Sequence, residues 1–416
     1  MLEEIQRREA LIHFQRGLVL ERAHRVKEAV KEYRRAISHD PHLREAHDAL
    51  GFYYQRHGLL AKAAEEFRIV ANLDDDFLAH FNLGYVLLEL ERFDEAIAAF
   101  QRCIELEPEN VAVHYELGYI AYLQGDYRTA LERMRLPLLQ YPDDWEVYYL
   151  IGNCHLRLGE YDAALDSYVE ALALASQSPA QAQLRERIAV VERYRMIGQL
   201  NGAKDRLYAE HGVVYLGSAR DNGLQLGVMQ EYHLTFPDIG ITLRRFLALC
   251  DARGWQFSCV VALDRVAEPL ASALAQLLSI ELRGAHQVQS DEVPLVVMAV
   301  GREAELLDLA LERIAGRAVT FCLALNWLRR RMVFPDVMGV MVQGACSVPW
   351  EPHMRRLRSD GAPTELLQSC LSNATQHILL AVHDAPEEQN LEQQVQYYCL
   401  NDRLRFASYI SCLSAT

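Results

Sequence analysis

Charged residues that could do chemistry follow two of the most apolar segments in the carboxy-terminal half of the chain. Asp264, Arg265 and Glu268 come after FSCVVAL, and Arg302 and Glu303 come after PLVVMAV. If both segments are strands of one parallel sheet, their carboxyl ends share the edge where such sheets place ligands. These residues could therefore form a small ligand site. Alternatively, the acids cap the following helices, where the helix dipole favours negative charge.

Four histidines recur at almost equal spacing in the amino-terminal half, and imidazole is a common metal ligand. Repeated helical units stack about 10 Å apart, whereas a metal-to-nitrogen bond is about 2 Å long, so units cannot share one ion. The nine cysteines include no C-x-x-C pair and form neither a zinc signature nor a disulfide framework. The sequence therefore predicts no metal and no cofactor, and it predicts packing roles for His13, His47, His80 and His114.

Lysine is almost absent from the chain, where Lys27, Lys31, Lys62 and Lys204 are the only examples. The segment after Lys204 therefore cannot contain a G-x-x-x-x-G-K-[ST] phosphate loop, a Schiff-base lysine or a kinase lysine. G-x-S-x-G, H-E-x-x-H and G-x-G-x-x-G are absent as well. No catalytic residue is predicted. The sequence favours a non-enzymatic role, although spacing alone leaves a Cys/His pair open.

The elements of the amino-terminal half are repetitive. Glycines recur every 33 or 34 residues, an alanine follows each by twelve, and a bulky residue follows the alanine by four on the same helix face. Two small residues in fixed phase are expected where paired antiparallel helices cross closely, so the pattern predicts about five stacked helix pairs with a shared core. The residues are Gly17, Gly51, Gly84, Gly118 and Gly152, then Ala29, Ala63, Ala96, Ala130 and Ala164, then Tyr33, Phe67, Phe100, Met134 and Tyr168.

The segment HFNLGYVL, followed by EAIAAF and Pro108, resembles the tetratricopeptide repeat family, whose pattern is W-x-x-L-G-x-x-Y, A-x-x-x-F and P. The resemblance extends from Ala10 to Ala175 and implies an all-α solenoid. It also implies that positions two, five, nine and twelve of the first helix of each unit line a concave groove. The predicted groove residues are Phe14, Phe52, Phe81, Tyr85, Tyr115, Tyr119, Tyr122, Tyr149 and Asn153, with Glu45, Asp48 and Glu146 beside them.

Such a groove is aromatic and mildly acidic. Aromatic side chains often anchor protein interfaces, so the expected partner is a peptide or helix with apolar and basic side chains. No lysine falls on this face, which disfavours the family's carboxylate-clamp type of site. Two alternatives remain open. The chain's own carboxy-terminal half could dock in the groove, or the groove could mediate homo-oligomerisation.

A second domain is predicted where the periodicity ends. Residues 1–178 are assigned to the array, 179–199 to a helix that caps it, and 200–416 to the second domain. Apolar segments there alternate with amphipathic ones, which is typical of an α/β fold with a largely parallel sheet. The turn Asp221-Asn222-Gly223 lies between GVVYLGS and LQLGVMQEYHLTF and predicts a β-hairpin.

This hairpin and the segment CVVALDRVAEPLASALAQLLSIELR resemble type I phosphoribosyltransferases, particularly the orotate branch. The family's catalytic strand ends in two acids and a Gly/Thr-rich loop, but here Gly301, Arg302, Glu303, Ala304 and Glu305 stand in their place. The phosphate cradle is therefore largely missing, and the family reaction is not expected. The domain is predicted to be a second docking or sensing surface. The alternatives are a sensor for a nucleotide or phosphate ligand, or a divergent enzyme of this family.

The overall charge narrows the classes of partner. A net charge of −15 with a pI near 5.5 argues against nucleic acid as the partner, because phosphate binding needs clustered surplus Lys and Arg. The chain has no apolar stretch long enough to span a bilayer, and its start lacks the apolar region of a signal peptide, so no membrane partner and a cytoplasmic location are expected. Together these features predict a protein-interaction scaffold or adaptor.

Overall fold

The computed structural model describes residues 2–314, 317–326 and 334–399. The chain divides into two compact units, Met1–Leu184 and Arg185–Thr416. The boundary falls inside one continuous helix, Ser178–Ile197, which contains most of the predicted capping segment. None of the described helices is long and apolar enough to cross a lipid bilayer.

The amino-terminal unit is a stack of antiparallel helix pairs, as the periodicity predicted. In each pair, helix A carries the repeated glycine and helix B carries the repeated alanine. Helices A are α1 (Leu2–Arg22), α3 (Arg44–Arg56), α5 (Phe77–Glu89), α7 (Val111–Leu123) and α10 (Trp145–Leu158). Helices B are α2 (Val26–His39), α4 (Leu60–Leu73), α6 (Phe93–Leu106), the divided pair α8 (Tyr127–Arg133) and α9 (Arg135–Gln140), and α11 (Tyr161–Leu174), after which comes α12 (Ser178–Ile197).

Each repeated glycine lies under the bulky residue of helix B. A methyl carbon added to Gly84 would lie 2.8 Å from Cε1 of Phe100, closer than two carbons can approach. The partner alanine, Ala96, is fully buried at the same crossing. The small residues therefore stand where the two helices approach each other, which confirms the packing predicted from the sequence. The equivalent pairs are Gly17 with Tyr33, Gly51 with Phe67, Gly118 with Met134, and Gly152 with Tyr168.

Helix B of the fourth pair is interrupted, unlike the others. The first segment ends at Arg133 and the second begins at Arg135, with Met134 between them. Pro137 lies four residues after Arg133, and a proline ring clashes with the carbonyl of the fourth residue before it. The proline therefore accounts for the break.

The repeated histidines contact helix B of their own repeat or the loop that precedes their helix A. His47 is buried, with Nδ1 2.6 Å from Oε2 of Glu66 on helix B and Nε2 3.0 Å from the carbonyl oxygen of Pro41. His13 makes the equivalent contact with Glu32 at 2.7 Å. His80 contacts Asp75, and His114 contacts the carbonyl of Pro108. These contacts orient helix A against helix B or against the preceding loop, and no group of three or more metal-ligating side chains occurs among the described residues.

The carboxy-terminal unit alternates strands and helices. Its strands are β1 (Val214–Tyr215), β2 (Val228–Met229), β3 (Tyr232–His233), β4 (Cys259–Ala262), β5 (Glu281–Arg283), β6 (Leu295–Gly301), β7 (Val319–Leu325), β8 (Val337–Val342) and β9 (Cys346–Ser347). Its helices are α13 (Ala203–His211), α14 (Phe236–Arg253), α15 (Glu268–Leu277), α16 (Ala304–Arg313), α17 (Glu351–Ser359), α18 (Thr364–His383) and α19 (Leu391–Cys399).

The main sheet has the strand order β1-β8-β7-β6-β4-β5, and every pairing between described strands is parallel. The chain runs from β4 to β5 and then returns to the other side of β4 to form β6. The strand order therefore reverses between β4 and β6, and such a point opens a crevice at the carboxyl ends of the two strands. A separate two-stranded sheet pairs β3 with β9.

Both faces of the sheet are covered, which is usual for a parallel sheet. Leu295 and Val297 of β6 belong to the large core shared with α14, α15 and α18. Met298 belongs instead to a cluster on the opposite face, which includes Leu307 of α16. The near-continuous apolar strands in the sequence follow from this burial on two sides.

The predicted β-hairpin is wrong. β1 pairs with Val337 and Met338 of β8, and β2 pairs with Met341 and Val342 of the same strand. Because β1 and β2 lie end to end along one edge of β8, they cannot pair with each other. The turn itself does form, since the Asp221 side chain accepts a hydrogen bond from the backbone N–H of Gly223 at 2.7 Å.

The loop that contains this turn is held by buried cationic and amide side chains. Lys204 donates from Nζ to the carbonyl of Gly223 at 2.7 Å. Its ammonium also lies 4.2 Å and 4.7 Å from the ring centres of Tyr397 and Tyr398. Burial lowers the pKa of Lys204 to about 8. The amide of Gln394 donates to the carbonyls of Leu216 and Gly223. These contacts take the place of the strand pairing that a hairpin would supply.

The crossing in the third repeat gives a test of the packing argument. Gly84→Ala should gain about 1 kcal/mol of helix propensity, but its methyl group has no room beside Phe100, and such overpacking costs typically about 1–3 kcal/mol. We expect a net loss of stability, measured by urea denaturation followed by circular dichroism. The loss should be smaller in a Phe100→Leu background, and a more stable Gly84→Ala protein would contradict the crossing.

Candidate protein-binding surface

Eight of the nine predicted groove residues occupy two positions of helix A, three residues before the repeated glycine and one residue after it, whereas Tyr122 lies four residues after its glycine. In the third repeat these are Phe81 and Tyr85, which are four residues apart and therefore share a helix face. Their ring centres are 6.5 Å apart and the rings are stacked. The other predicted groove residues in these two positions are Phe14, Tyr115 and Tyr149 before the glycine, and Phe52, Tyr119 and Asn153 after it.

The two positions differ in burial. Phe52, Tyr85 and Tyr119, which follow the glycine, are 41%, 39% and 37% exposed. Phe81, which precedes it, is half-buried because its edge packs against Phe100 of helix B at a ring separation of 5.7 Å. Phe14, Tyr115, Tyr122 and Tyr149 are also half-buried. The structure thus presents exposed rings at the surface, with partly buried aromatic residues beside them.

Asn153 lies inside the array. It is 7% exposed, and its Oδ1 accepts a hydrogen bond from the hydroxyl of Tyr168 at 2.7 Å. The fifth repeat therefore uses this position to connect helix A to helix B, and the side chain offers little surface to a partner.

An acidic cavity of about 940 Å³ opens between the fourth and fifth repeats. Carboxylates contribute five of the side chains that line it, and none of its described lining residues is basic. Pro137 and Gln140 of α9 also line it, so the interrupted helix B forms one wall. Tyr115 connects the cavity to the aromatic face. The five acids are Glu107, Glu109, Glu116, Asp144 and Glu146.

Glu116 and Asp144 are half-buried, whereas Glu107, Glu109 and Glu146 are exposed. Burial raises the pKa of Glu116 to about 7. Neither a hydrogen bond nor an ion pair to its carboxylate occurs within the described part of the chain. Burial also raises the pKa of Tyr85, and the negative charge of Glu116 raises it further. The pKa of Tyr115 is raised by burial first, then by Glu146 and by Glu116. The negative charge of Glu116 in the acidic cavity therefore also acts on the tyrosines of the aromatic face.

Sequence reasoning missed Glu116 because it tested only the positions that the family resemblance supplied. Glu116 lies one residue after such a position. A signal was present, since the corresponding residues in the other repeats are uncharged: Gln15, Ala49, Asn82 and Leu150.

The residues of the predicted small-ligand site have separate surroundings. Asp264 caps the turn before α15, where its Oδ1 accepts a hydrogen bond from the N–H of Ala267 at 2.8 Å. Arg265 and Glu303 are exposed, and Glu268 is the first residue of α15. Arg302 lines a cavity, which it shares with residues that the sequence did not single out.

Family models for the tetratricopeptide repeat match residues 10–43, 49–105, 81–136 and 115–179. The amino-terminal half of this chain consists of tetratricopeptide repeats. The matched segments contain the repeated glycines and the aromatic positions of helix A. They do not extend into the carboxy-terminal unit, so the resemblance of that unit to phosphoribosyltransferases stays a prediction.

Solved structures similar to the tetratricopeptide array include MamA, which is 24% identical over 40% of this chain and 91% of its own, with a TM-score of 0.38. YrrB, described as a protein with an unusual peptide-binding site, is 18% identical over 42% of this chain and 92% of its own, with a TM-score of 0.39. PilF of Pseudomonas aeruginosa is 23% identical over 46% of this chain and 87% of its own, with a TM-score of 0.37. No curated protein matches the chain.

The raised pKa of Glu116 predicts an unusual pH dependence of stability. A carboxyl whose pKa is raised on folding keeps its proton in the folded state after the unfolded state has lost it. Its contribution to stability therefore falls as the pH rises from 4.5 to about 7. Glu116→Gln removes this cost, and we expect it to stabilise the array at pH 8 by an amount on the order of 2 kcal/mol.

This difference should vanish near pH 4, where the carboxyl is protonated in both states. Urea denaturation at the two pH values measures it. Glu65→Gln, at an exposed position of α4, is the matched control and should change stability little at either pH. A Glu116→Gln protein less stable than the parent at pH 8 would show that the carboxylate has a stabilising partner.

Proposed function

We propose that the tetratricopeptide array is a scaffold that binds a partner polypeptide along the aromatic face of helices A, and that the acidic cavity takes a lysine or arginine side chain of that partner. The acidic cavity supports this most directly, because five carboxylates line it and its described lining residues include no cation. A basic side chain is the group that such a cavity lacks.

Glu116 supplies much of the electrostatic attraction. Its burial removes hydration from the carboxylate, and a cation that enters the cavity restores a favourable interaction. At a separation of 4 Å and an effective dielectric constant of 20, two opposite charges attract by about 4 kcal/mol before desolvation of the cation is subtracted. The ionised form of Glu116 is also the form that attracts the cation, so binding shifts its pKa back towards the ordinary value.

The exposed rings contribute apolar contact area next to this charge. Tyr85 and Tyr119 lie on the helices A of neighbouring repeats and at the same position relative to the glycine. Tyrosine offers a large rigid surface, and its ring face also attracts cations. A segment that alternates apolar and basic side chains would therefore fit both features together.

For the carboxy-terminal unit, we propose a docking or sensing role in place of the phosphoribosyltransferase reaction. The support is chemical. Gly301, Arg302 and Glu303 occupy the end of β6, where the family places two acids and a phosphate-binding loop. Glu303 is the one acid among these three residues, and Arg302 is instead paired with Glu351 of α17, so the two adjacent acids of the family are missing.

Selection of peptides from a random display library against the intact protein tests the proposed specificity. We expect the selected peptides to be enriched in arginine or lysine next to aromatic or aliphatic residues. Their affinity should increase between about pH 6 and about pH 8, because Glu116 ionises across this range. Fluorescence anisotropy measures both the affinity and its pH profile.

Glu116→Gln should weaken these peptides roughly tenfold, which corresponds to 1.4 kcal/mol, and should flatten the pH profile. Glu65→Gln should leave both unchanged. Replacing the arginine of a selected peptide by citrulline, which has the same shape without the charge, should reproduce the loss. Enrichment of acidic peptides, or binders that respond equally to the two substitutions, would overturn the proposal.

The aromatic part of the surface has its own test. Tyr85→Ala and Tyr119→Ala should each reduce the affinity of a selected peptide by about 1–2 kcal/mol, because each removes an exposed ring at the centre of the surface. Val169→Ala, at an exposed apolar position of α11, is the control and should have little effect. If all three variants bind the peptide as the parent does while keeping the parent's circular dichroism, the helix A face is not the binding surface.

A further inference from the structure

A second cavity, of about 780 Å³, lies in the carboxy-terminal unit at the carboxyl ends of β6 and β7 and beside β9. Pockets of about 300–1,000 Å³ are typical of small-molecule sites. Arg302 follows β6, Asn326 follows β7, and the segment 344–347 leads into β9. Glu351 and Arg355 of α17 and His233 of β3 also line it, and Nδ1 of His233 lies 2.7 Å from the hydroxyl oxygen of Ser347.

Asn326 contributes a buried acceptor without a donor. It is 5% exposed, and its backbone N–H donates to the carbonyl of Gly301 at 2.7 Å. Its side-chain Nδ2 donates to the carbonyl of Gly344. Because a carbonyl oxygen can only accept, the atom that faces Gly344 must be Nδ2, and this fixes the orientation of the amide. Oδ1 has no hydrogen-bond partner within the described residues. An unsatisfied buried acceptor costs about 1–3 kcal/mol, so a donor at this place would be bound favourably.

Two arginines and one glutamate line the cavity, so these side chains together carry a net positive charge. Arg302 donates from Nη2 to Glu351 at 2.8 Å and to the carbonyl of Cys346 at 2.9 Å. Arg355 donates to the other oxygen of Glu351 at 2.7 Å. Burial acts to raise the pKa of Glu351, but the hydrogen bond from Arg302 and then that from Arg355 more than offset it, and the net shift is downward. Glu351 therefore stays ionised and balances one of the two guanidinium groups.

The guanidinium of Arg302 still has donors to offer. Its Nε and Nη1 make no hydrogen bond to the described residues, and its side chain is 37% exposed. The Arg355 side chain is 70% exposed and reaches Glu351 through one nitrogen. Guanidinium donors of this kind bind carboxylate or phosphate oxygens, often in pairs.

We infer that this cavity binds a small organic anion, whose carboxylate or phosphate contacts Arg302 and Arg355 and whose neighbouring hydroxyl or N–H group donates to Oδ1 of Asn326. The inference goes beyond polypeptide binding by the array. It rests on two independent observations, the surplus cation and the unsatisfied acceptor, which meet in one cavity. The site differs from the one expected from the sequence, since the described residues that line it include neither Asp264 nor Glu268.

Matched pairs of small anions test the inference on the full chain. In the carboxylate arm, glycolate carries a hydroxyl next to the carboxylate and acetate lacks it. In the phosphate arm, 2-hydroxyethyl phosphate and ethyl phosphate differ in the same way. Binding is measured by the broadening of each probe's NMR signals on addition of the protein. We expect the hydroxylated member of at least one pair to bind several-fold more tightly than its partner, and the arm that responds identifies the anionic group.

Two neighbouring arginines of α17 provide a matched pair of variants. Both are exposed, but only Arg355 lines the cavity. Arg355→Gln should weaken the preferred probe about tenfold, whereas Arg356→Gln should leave it unchanged. Because both positions are exposed, neither substitution should prevent folding. The inference is overturned if no probe binds at millimolar concentration, if the hydroxyl gives no preference in either arm, or if the two variants behave alike.

Discussion

The structure of the array depends on one steric constraint, the contact between the repeated glycine of helix A and the bulky residue of helix B. The helices can approach this closely only where one of them has no Cβ, as Gly84 shows beneath Phe100. The contact fixes the rotation of helix A about its own axis. It thereby determines that residues three before and one after the glycine lie beside the crossing, where their side chains contact the bulky residue of helix B and several of them also reach the surface. The aromatic surface is a consequence of this rotation, repeated once in each unit.

A second, local constraint shapes the acidic cavity. Pro137 interrupts helix B in the fourth repeat, and the displaced segment forms a wall of the cavity. Glu116 lies in the same repeat, where Met134 takes the place of the usual aromatic ring. The fourth repeat, which departs most from the pattern, is therefore also the repeat that carries the half-buried carboxylate of Glu116. Every repeat contributes an aromatic residue to the helix A face, and the irregular repeat also contributes Glu116 and Pro137 to the acidic cavity.

The sequence predicted what is periodic and missed what depends on distant partners. The glycine and alanine spacing predicted the helix pairs and their crossings, and the alternation of apolar segments predicted the parallel sheet. The Asp221-Asn222-Gly223 turn also forms, but the pairing of its flanks depends on β8, which lies more than a hundred residues later. Arg302 was among the residues that the sequence singled out, and it lines a cavity. Asn326 also follows an apolar strand but was not singled out, and Glu351 comes from α17, where nothing local marks it.

The burial of Lys204 has a consequence for covalent modification of the protein. Its ammonium is bonded to the Gly223 carbonyl and enclosed by Tyr397 and Tyr398, and the residue is 3% exposed. No lysine follows it in the sequence. Acetylation of lysine, ubiquitin conjugation to lysine and lysine-directed cross-linking all need an accessible ε-amino group. Such chemistry on the folded chain is therefore confined to the lysines of the first two repeats, Lys27, Lys31 and Lys62, and leaves the surface of the carboxy-terminal unit without an attachment point.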